Sequence, residues 1–297
     1  TTFNSMKKAI FPSLILLFCS IILTAQSDIE FYGWHDDNHY LIQKTEGEET
    51  KTFKVNAKSG KEMPYKSEVD IRETLPEGVR LRRGNVAYSK GRKSLVINKD
   101  NDLYYFEKNG SELRQLTANP QRENNPTFSP DGKKIAFTRD KNLYIVNVET
   151  GLEKQLTTDG SDLIYNGWAS WVYYEEILGR GSRYRAFYWS PDSRNLAYLR
   201  FDDSPVPEFP IYHHIGGDMV HGKLEETRYP KSGDPNPLVE LKIVDTETGV
   251  TQKVDTDEDI EYTAWVMWTP EGKELFFQQL TRNQDVLKIF AANPSTG

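Results

Sequence analysis

Two adjacent carboxylates, Glu175 and Glu176, lie in an aromatic stretch, residues 165–179, with the sequence YNGWASWVYYEEILG. Two negative charges side by side, about 4 Å apart, repel by a few kcal/mol in a partly protein-like dielectric. A cation bound between the two carboxylates removes that penalty. The pair therefore indicates a site for a positively charged group, and the alternative is an exposed helix that carries two solvated glutamates.

The residues around the pair predict a short helix from residue 168 to residue 178. Asn166 is a suitable N-cap for such a helix, and Gly179 is suited to end it. Residues three and four positions apart stack on one helical face. The residues predicted to share that face are Trp168, Trp171, Val172 and Glu175. One carboxylate is thus expected beside the aromatic side chains, with its neighbour rotated by about 100° around the axis.

An internal repeat predicts the scaffold that positions this segment. Short alternating strands follow turns of the Ser-Pro-Asp-Gly type, and each unit closes on a second Gly turn. The turns begin at Ser89, Ser129, Ser190 and Thr269, and a first copy is predicted between Tyr32 and Gly60. Such units are typical of the antiparallel blades of a β-propeller. The fold class is therefore all-β, with about five blades and one short helical insertion.

Two insertions interrupt the fourth unit, and long connections in compact domains are often functional. The first insertion contains Glu175 and Glu176. The second, mostly residues 203–237, contains His213, His214 and His221. No acid or cysteine completes a metal-ligand set around these histidines, and neighbouring histidines on a strand point to opposite faces. We expect this second insertion to be an extended arm for subunit contact, and we expect no metal.

Residues 1–26 are predicted to be a secretory signal peptide. Lys7 and Lys8 precede an apolar run, residues 10–25, that is short for a membrane span and contains a proline. Cleavage is expected near Ala25, the alternative being a membrane anchor. The single cysteine, Cys19, lies in this leader, so the exported protein is expected to have no disulfide. These features predict a bacterial periplasmic, cell-envelope or secreted protein.

Composition and motifs exclude several functions. The net charge is −7 and the chain has no basic run, so nucleic acid is not an expected partner. The sequence has no nucleophile elbow, phosphate-binding loop, dinucleotide fingerprint or zinc-protease motif. We therefore expect no cofactor and no catalytic residue within this chain.

Three blocks resemble the N-terminal propeller of the dipeptidyl peptidase IV family of serine exopeptidases. They are residues 165–179, residues 187–209 (FYWSPDSRNLAYLRFDDSPVPEF) and residues 228–241 (RYPKSGDPNPLVEL). The resemblance implies an eight-bladed propeller joined to an α/β-hydrolase domain with a Ser-Asp-His triad, and a homodimer. It also implies that Glu175 and Glu176 bind the free N-terminus of a peptide. A propeller arginine that orients the peptide is matched by Arg122.

The resemblance implies release of N-terminal X-Pro or X-Ala dipeptides. Residues 27–297 are expected to be an incomplete propeller, inactive alone, because neither the remaining blades nor the hydrolase domain is present in this sequence. One alternative is a prolyl tripeptidyl peptidase, which binds the amine one residue further out. Another is a non-catalytic periplasmic propeller that binds other proteins.

Overall fold

The computed structural model describes residues 29–46, 49–65, 71–76, 79–81, 84–108, 110, 112–215 and 221–297. The predicted signal peptide lies outside these residues. Within the described stretches, no helix is both long enough and apolar enough to cross a membrane.

The described strands form five antiparallel blades and one separate hairpin. Blade 1 contains β1 (Ile29–Asp36), β2 (His39–Glu46), β3 (Glu49–Asn56) and β4 (Glu62–Pro64). Blade 2 contains β5 (Val86–Tyr88), β6 (Ser94–Lys99), β7 (Asp102–Glu107) and β8 (Arg114–Gln115). Blade 3 contains β9 (Asn124–Phe128), β10 (Lys134–Arg139), β11 (Asn142–Asn147) and β12 (Glu153–Gln155).

Blade 4 begins with β13 (Ile164–Asn166), β14 (Phe187–Trp189) and β15 (Asn195–Asp202). The hairpin of β16 (Glu208–His213) and β17 (Lys223–Arg228) follows, and the blade resumes with β18 (Leu238–Asp245) and β19 (Thr251–Lys253). Blade 5 contains β20 (Tyr262–Trp268), β21 (Leu275–Leu280) and β22 (Leu287–Ala292). Short helical turns span Ile71–Thr74, Lys90–Arg92, Tyr173–Ile177 and Arg180–Ser182. The prediction of an all-β, five-bladed propeller region is confirmed.

The blades stack through the side chains of their central strands. In β10, Ile135, Ala136 and Phe137 are all fully buried, because both faces of the strand contact a neighbouring blade. Ile135 and Phe137 pack in a cluster with blade 2, whereas Ala136 packs in a cluster with blade 4. The alternation of side chains along a strand thus supplies two hydrophobic cores at once.

The repeated turns stabilise each blade by local hydrogen bonds. Ser129 Oγ accepts a hydrogen bond from the Lys134 amide at 2.9 Å and donates to Asp131 Oδ1 at 2.6 Å. Ser190 Oγ accepts the equivalent bond from the Asn195 amide at 2.8 Å. A hydroxyl followed by Pro-Asp therefore closes the turn between the innermost strand and the next strand.

The innermost strands are joined from blade to blade by tryptophan side chains. The indole N–H of Trp189 donates to the Thr127 carbonyl in β9 at 3.1 Å. In the next blade, the indole N–H of Trp268 donates to the Tyr188 carbonyl in β14, also at 3.1 Å. The aromatic residue that precedes each Ser-Pro or Thr-Pro turn in these two blades thus fixes the spacing of the inner strands.

Candidate functional site

The first insertion lies between β13 and β14 and carries the carboxylate pair on a π-helical turn, Tyr173–Ile177. The Leu178 amide donates to the Tyr173 carbonyl, five residues earlier, at 2.7 Å. Two α-helical residues, 171 and 172, precede the turn. Gly179 follows it with φ +76°, a left-handed conformation that favours glycine. π-Helical turns are rare and occur frequently at functional sites.

The prediction of a helix from residue 168 to residue 178 is wrong in its first half. Asn166 ends β13, and its side-chain amide donates to Asp159 Oδ1 at 2.7 Å instead of capping a helix. Trp168 is extended and bridges to Arg185 on the returning chain. Backbone pairing with residues 184–186 is stronger here than the local helical preference, so Trp168 does not share a helical face with Glu175.

Stacked aromatic rings replace the predicted helical face. Tyr184 lies between two rings: its centroid is 3.8 Å from that of Tyr174 and 4.7 Å from that of Trp168, and both pairs are nearly parallel. Lys141 Nζ lies 4.9 Å from the Trp168 ring centroid, within the range of a cation–π interaction. Burial lowers the pKa of Lys141. These contacts hold the turn against the returning chain of the insertion and against the β10–β11 turn of blade 3.

Tyr173 anchors the same turn to blade 5. Its side chain is fully buried, and its hydroxyl accepts a hydrogen bond from the Thr263 amide in β20 at 3.1 Å. Burial raises the pKa of the Tyr173 hydroxyl above its ordinary range. Ser170, immediately before the turn, donates to Asp203 Oδ2 at 3.0 Å, and both side chains are buried. The carboxylate pair is therefore fixed to blades 4 and 5.

The two carboxylates differ in their surroundings. The side chain of Glu175 is only 13% exposed, and both of its oxygens accept a hydrogen bond from Arg180 Nε at 2.7 Å. Arg180 Nη2 also donates to Glu175 Oε1. Glu176 is exposed, and none of the described residues offers it a hydrogen bond or an ion pair. One carboxylate of the pair is thus satisfied by the protein, and the other is open to a ligand.

Arg122 lies next to the first insertion, which carries the carboxylate pair. It is exposed and comes just before β9, and it lines a cavity of about 530 Å³ with Arg183 and Gly84. The side-chain amide of Asn125, in β9, donates to the Arg183 carbonyl at 2.8 Å. Since Arg183 belongs to the first insertion, the insertion covers the beginning of the inner strands of blades 2 and 3. Arg122 therefore faces the insertion, although it makes no described contact with either glutamate.

The second insertion forms the β16–β17 hairpin and returns to the first. Trp171, at the start of the helical turn, packs on Tyr229 with ring centroids 4.3 Å apart, and Tyr229 in turn contacts Phe209. His213 Nε2 lies 2.7 Å from Glu225 Oε2 across the hairpin. No group of three metal-ligating side chains occurs in the described part of the chain.

Sequence reasoning did not find Arg180, Tyr184 or Asp203. Arg180 is five residues beyond Glu175, across a glycine, so no helical spacing relates the two. Tyr184 and Asp203 come after the turn in the sequence and lie next to it only because the chain folds back. No local sequence pattern predicts this contact. Burial raises the pKa of Asp203 to about 6, despite the hydrogen bond from Ser170.

Residues 88–297 match the family model described as the dipeptidyl peptidase IV (DPP IV) N-terminal region. The chain belongs to the dipeptidyl peptidase IV family. A probable dipeptidyl-aminopeptidase B from Emericella nidulans is 34% identical to it over 199 residues, 60% of this chain and 22% of that protein. The chain thus spans about a fifth of the length of this fungal relative.

Two solved structures are similar in fold. The crystal structure of Porphyromonas gingivalis dipeptidyl peptidase 4 matches 91% of this chain and 38% of its own, with a TM-score of 0.70 and 26% identity. A putative dipeptidyl aminopeptidase IV from Bacteroides ovatus matches 89% of this chain and 35% of its own, with a TM-score of 0.59 and 20% identity. The chain is therefore a propeller region from a family of peptidases.

Proposed function

We propose that this chain is the substrate-binding propeller of an exported serine exopeptidase that releases X-Pro or X-Ala dipeptides from peptides. Glu175 and Glu176 bind the α-ammonium group of the substrate. The family match, the relatives named as dipeptidyl peptidases and the sequence of the first insertion support the proposal. Its ligands are peptides with a free N-terminus.

The observation that carries the proposal is the exposed carboxylate of Glu176, which has no partner among the described residues, beside the anchored carboxylate of Glu175. A free α-amino group has a pKa near 8 and is mostly protonated at neutral pH. Hydrogen bonds between an ammonium and a carboxylate are among the strong ones in proteins. An N-acetylated peptide has no such charge and leaves Glu176 without a partner.

Binding the substrate by its end determines which bond is cleaved. The carboxylate pair fixes the ammonium, so that a serine nucleophile at a fixed distance meets the bond after the second residue. Holding the substrate by its amino end contributes orientation to the acyl-transfer step. The serine, activated by histidine, belongs to a hydrolase domain of the complete protein, and the chemistry needs no cofactor. Arg122 contributes a second contact that orients the peptide.

Three further properties belong to the proposal. The leader, residues 1–26, directs the protein to the periplasm, the cell envelope or the medium. The complete protein is a homodimer, and the β16–β17 hairpin takes part in the subunit contact. Exposed apolar side chains on this hairpin, Tyr212 and Leu224, support that role.

Hydrolysis of blocked and unblocked substrates by the full-length gene product tests the proposal. We expect Gly-Pro-p-nitroanilide to be cleaved, and acetyl-Gly-Pro-p-nitroanilide to be cleaved at least a hundredfold more slowly. Faster cleavage of Gly-Ala-Pro-p-nitroanilide than of Gly-Pro-p-nitroanilide would instead assign tripeptidyl specificity. No cleavage of any of the three, together with no Gly-x-Ser-x-Gly motif in the full coding sequence, would refute the peptidase function and favour a protein-binding scaffold.

A further inference from the structure

Arg180 is the one charged group of the described residues that pairs with the carboxylate site. Its guanidinium donates to both oxygens of Glu175, at 2.7 Å through Nε. The pairing with Glu175 raises the pKa of Arg180, so that the guanidinium is always charged. With Glu175, Glu176 and Arg180 together, the site carries a net charge of −1. This charge matches a single ammonium group.

The exposure of the two partners assigns their roles. Glu175 is 13% exposed, and a carboxylate that is largely removed from water needs a counter-charge. Arg180 is 73% exposed, so its charge is largely open to solvent beside Glu175. It lies on a 3₁₀ turn, Arg180–Ser182, with Gly179 before it and Gly181 as its next residue. The insertion therefore presents an exposed positive charge beside the carboxylate pair.

The distances place this charge near any bound N-terminal residue. An ammonium that bonds to the carboxylate pair lies about 3 Å from a carboxylate oxygen. Arg180 Nε lies 2.7 Å from the oxygens of Glu175. The guanidinium is therefore within roughly 6 to 9 Å of the substrate ammonium, close to the Debye length of about 8 Å at physiological salt. The first side chain of the substrate begins one carbon from that ammonium.

We propose that Arg180 determines specificity for the first residue of the substrate. It disfavours peptides that begin with Lys or Arg and favours peptides that begin with Asp or Glu. The guanidinium repels a second positive charge on the N-terminal residue and attracts a negative one. This inference rests on the proposed function, because it concerns the same site and the same ligands.

Three substrates that differ only in the first side chain test the inference: the p-nitroanilides of Lys-Pro, Ala-Pro and Glu-Pro. The measured quantity is the ratio of kcat/KM for Lys-Pro to kcat/KM for Glu-Pro, in the full-length gene product at low ionic strength. We expect Arg180→Gln to raise this ratio about fivefold. Interactions between exposed charges are weak, but the ratio combines the lost repulsion of Lys with the lost attraction of Glu. In 0.5 M NaCl the effect should fall below twofold, because salt screens exposed charges.

Arg180→Lys is the matched control, because it keeps the charge and loses the forked geometry. The ratio of kcat/KM for Lys-Pro to kcat/KM for Glu-Pro in this variant should stay within twofold of the wild-type ratio. An unchanged ratio in Arg180→Gln would overturn the inference. So would a loss of all three activities in Arg180→Gln but not in Arg180→Lys, since this result assigns Arg180 to holding Glu175 instead of selecting substrates.

These results are distinct from a failure of the proposed function. If the wild-type protein cleaves none of the three substrates, the peptidase proposal is refuted and the inference falls with it. If the wild-type protein cleaves Ala-Pro and the ratio does not respond to Arg180→Gln, only the inference about specificity is refuted.

Discussion

Replacing Glu176 by Gln removes one negative charge from the carboxylate site while keeping the size of the side chain. Glu176 is exposed and has no hydrogen-bond or ion-pair partner among the described residues, so the substitution breaks no contact of the fold. Hydrogen bonds to charged groups contribute roughly 1.5 to 3 kcal/mol. The loss of one such bond to the substrate ammonium corresponds to a decrease of about 10- to 150-fold in kcat/KM.

The assay is hydrolysis of Gly-Pro-p-nitroanilide by the full-length gene product. Glu271→Gln, on an exposed turn of blade 5, is the matched control and should retain wild-type activity. Glu175→Gln should lose at least tenfold as well, since it removes a carboxylate and the partner of Arg180. Equal activity in wild type, Glu175→Gln and Glu176→Gln, with unaltered melting temperatures, would refute the role of the pair in binding the amine.

Three further predictions concern the scaffold, and each is tested by urea unfolding. Trp268→Phe removes the indole N–H that donates to the Tyr188 carbonyl and should cost about 1 kcal/mol; an unchanged midpoint would show that this bond does not join the blades. Asp203, whose pKa is raised to about 6, binds a proton more tightly in the folded state, so its contribution to stability is complete below pH 4 and is lost as the pH rises to 6. Asp203→Asn should therefore gain stability relative to wild type by about 2 to 3 kcal/mol between pH 4 and pH 7, and a constant difference over that range would contradict the burial argument. Arg139→Met removes the ion pairs of Arg139 with the buried Glu123 and with Glu153, and it should cost about 3 to 5 kcal/mol. The double variant with Glu123→Gln should recover the part of that loss that comes from the buried carboxylate; equal losses would contradict a charge effect.

The blades were predictable because their signals are local. A Ser-Pro-Asp turn contains its own hydrogen-bond partners within five residues, as the bonds of Ser129 to Asp131 and Lys134 demonstrate. Strand alternation is likewise set by neighbours in the chain. The repeat therefore predicted five blades and the position of both insertions, including the blade that carries the carboxylate pair.

The inner structure of the first insertion was not predictable in the same way. Trp168 is suited to a helix, but its backbone pairs with Arg185, seventeen residues later. The ion pair between Glu175 and Arg180 depends on the left-handed conformation of Gly179, which ends the turn and reverses the chain. The sequence shows which residue types this site contains. Contacts that the spacing does not reveal decide which of the two carboxylates is exposed to a ligand.

The unequal environments of the two carboxylates follow from how the turn is anchored. Tyr173 is fixed to blade 5 by the Thr263 amide, and Tyr174 is fixed to the returning chain of the insertion by stacking on Tyr184. With two successive side chains held, the backbone at Glu175 and Glu176 has little rotational freedom, so Glu175 is directed toward Arg180 and Glu176 toward solvent. A pair of flexible glutamates would lose conformational entropy on binding an amine, and a turn that is already fixed avoids most of that cost. In the proposed function, the aromatic residues around the pair thus hold the backbone that carries the two carboxylates before the substrate arrives.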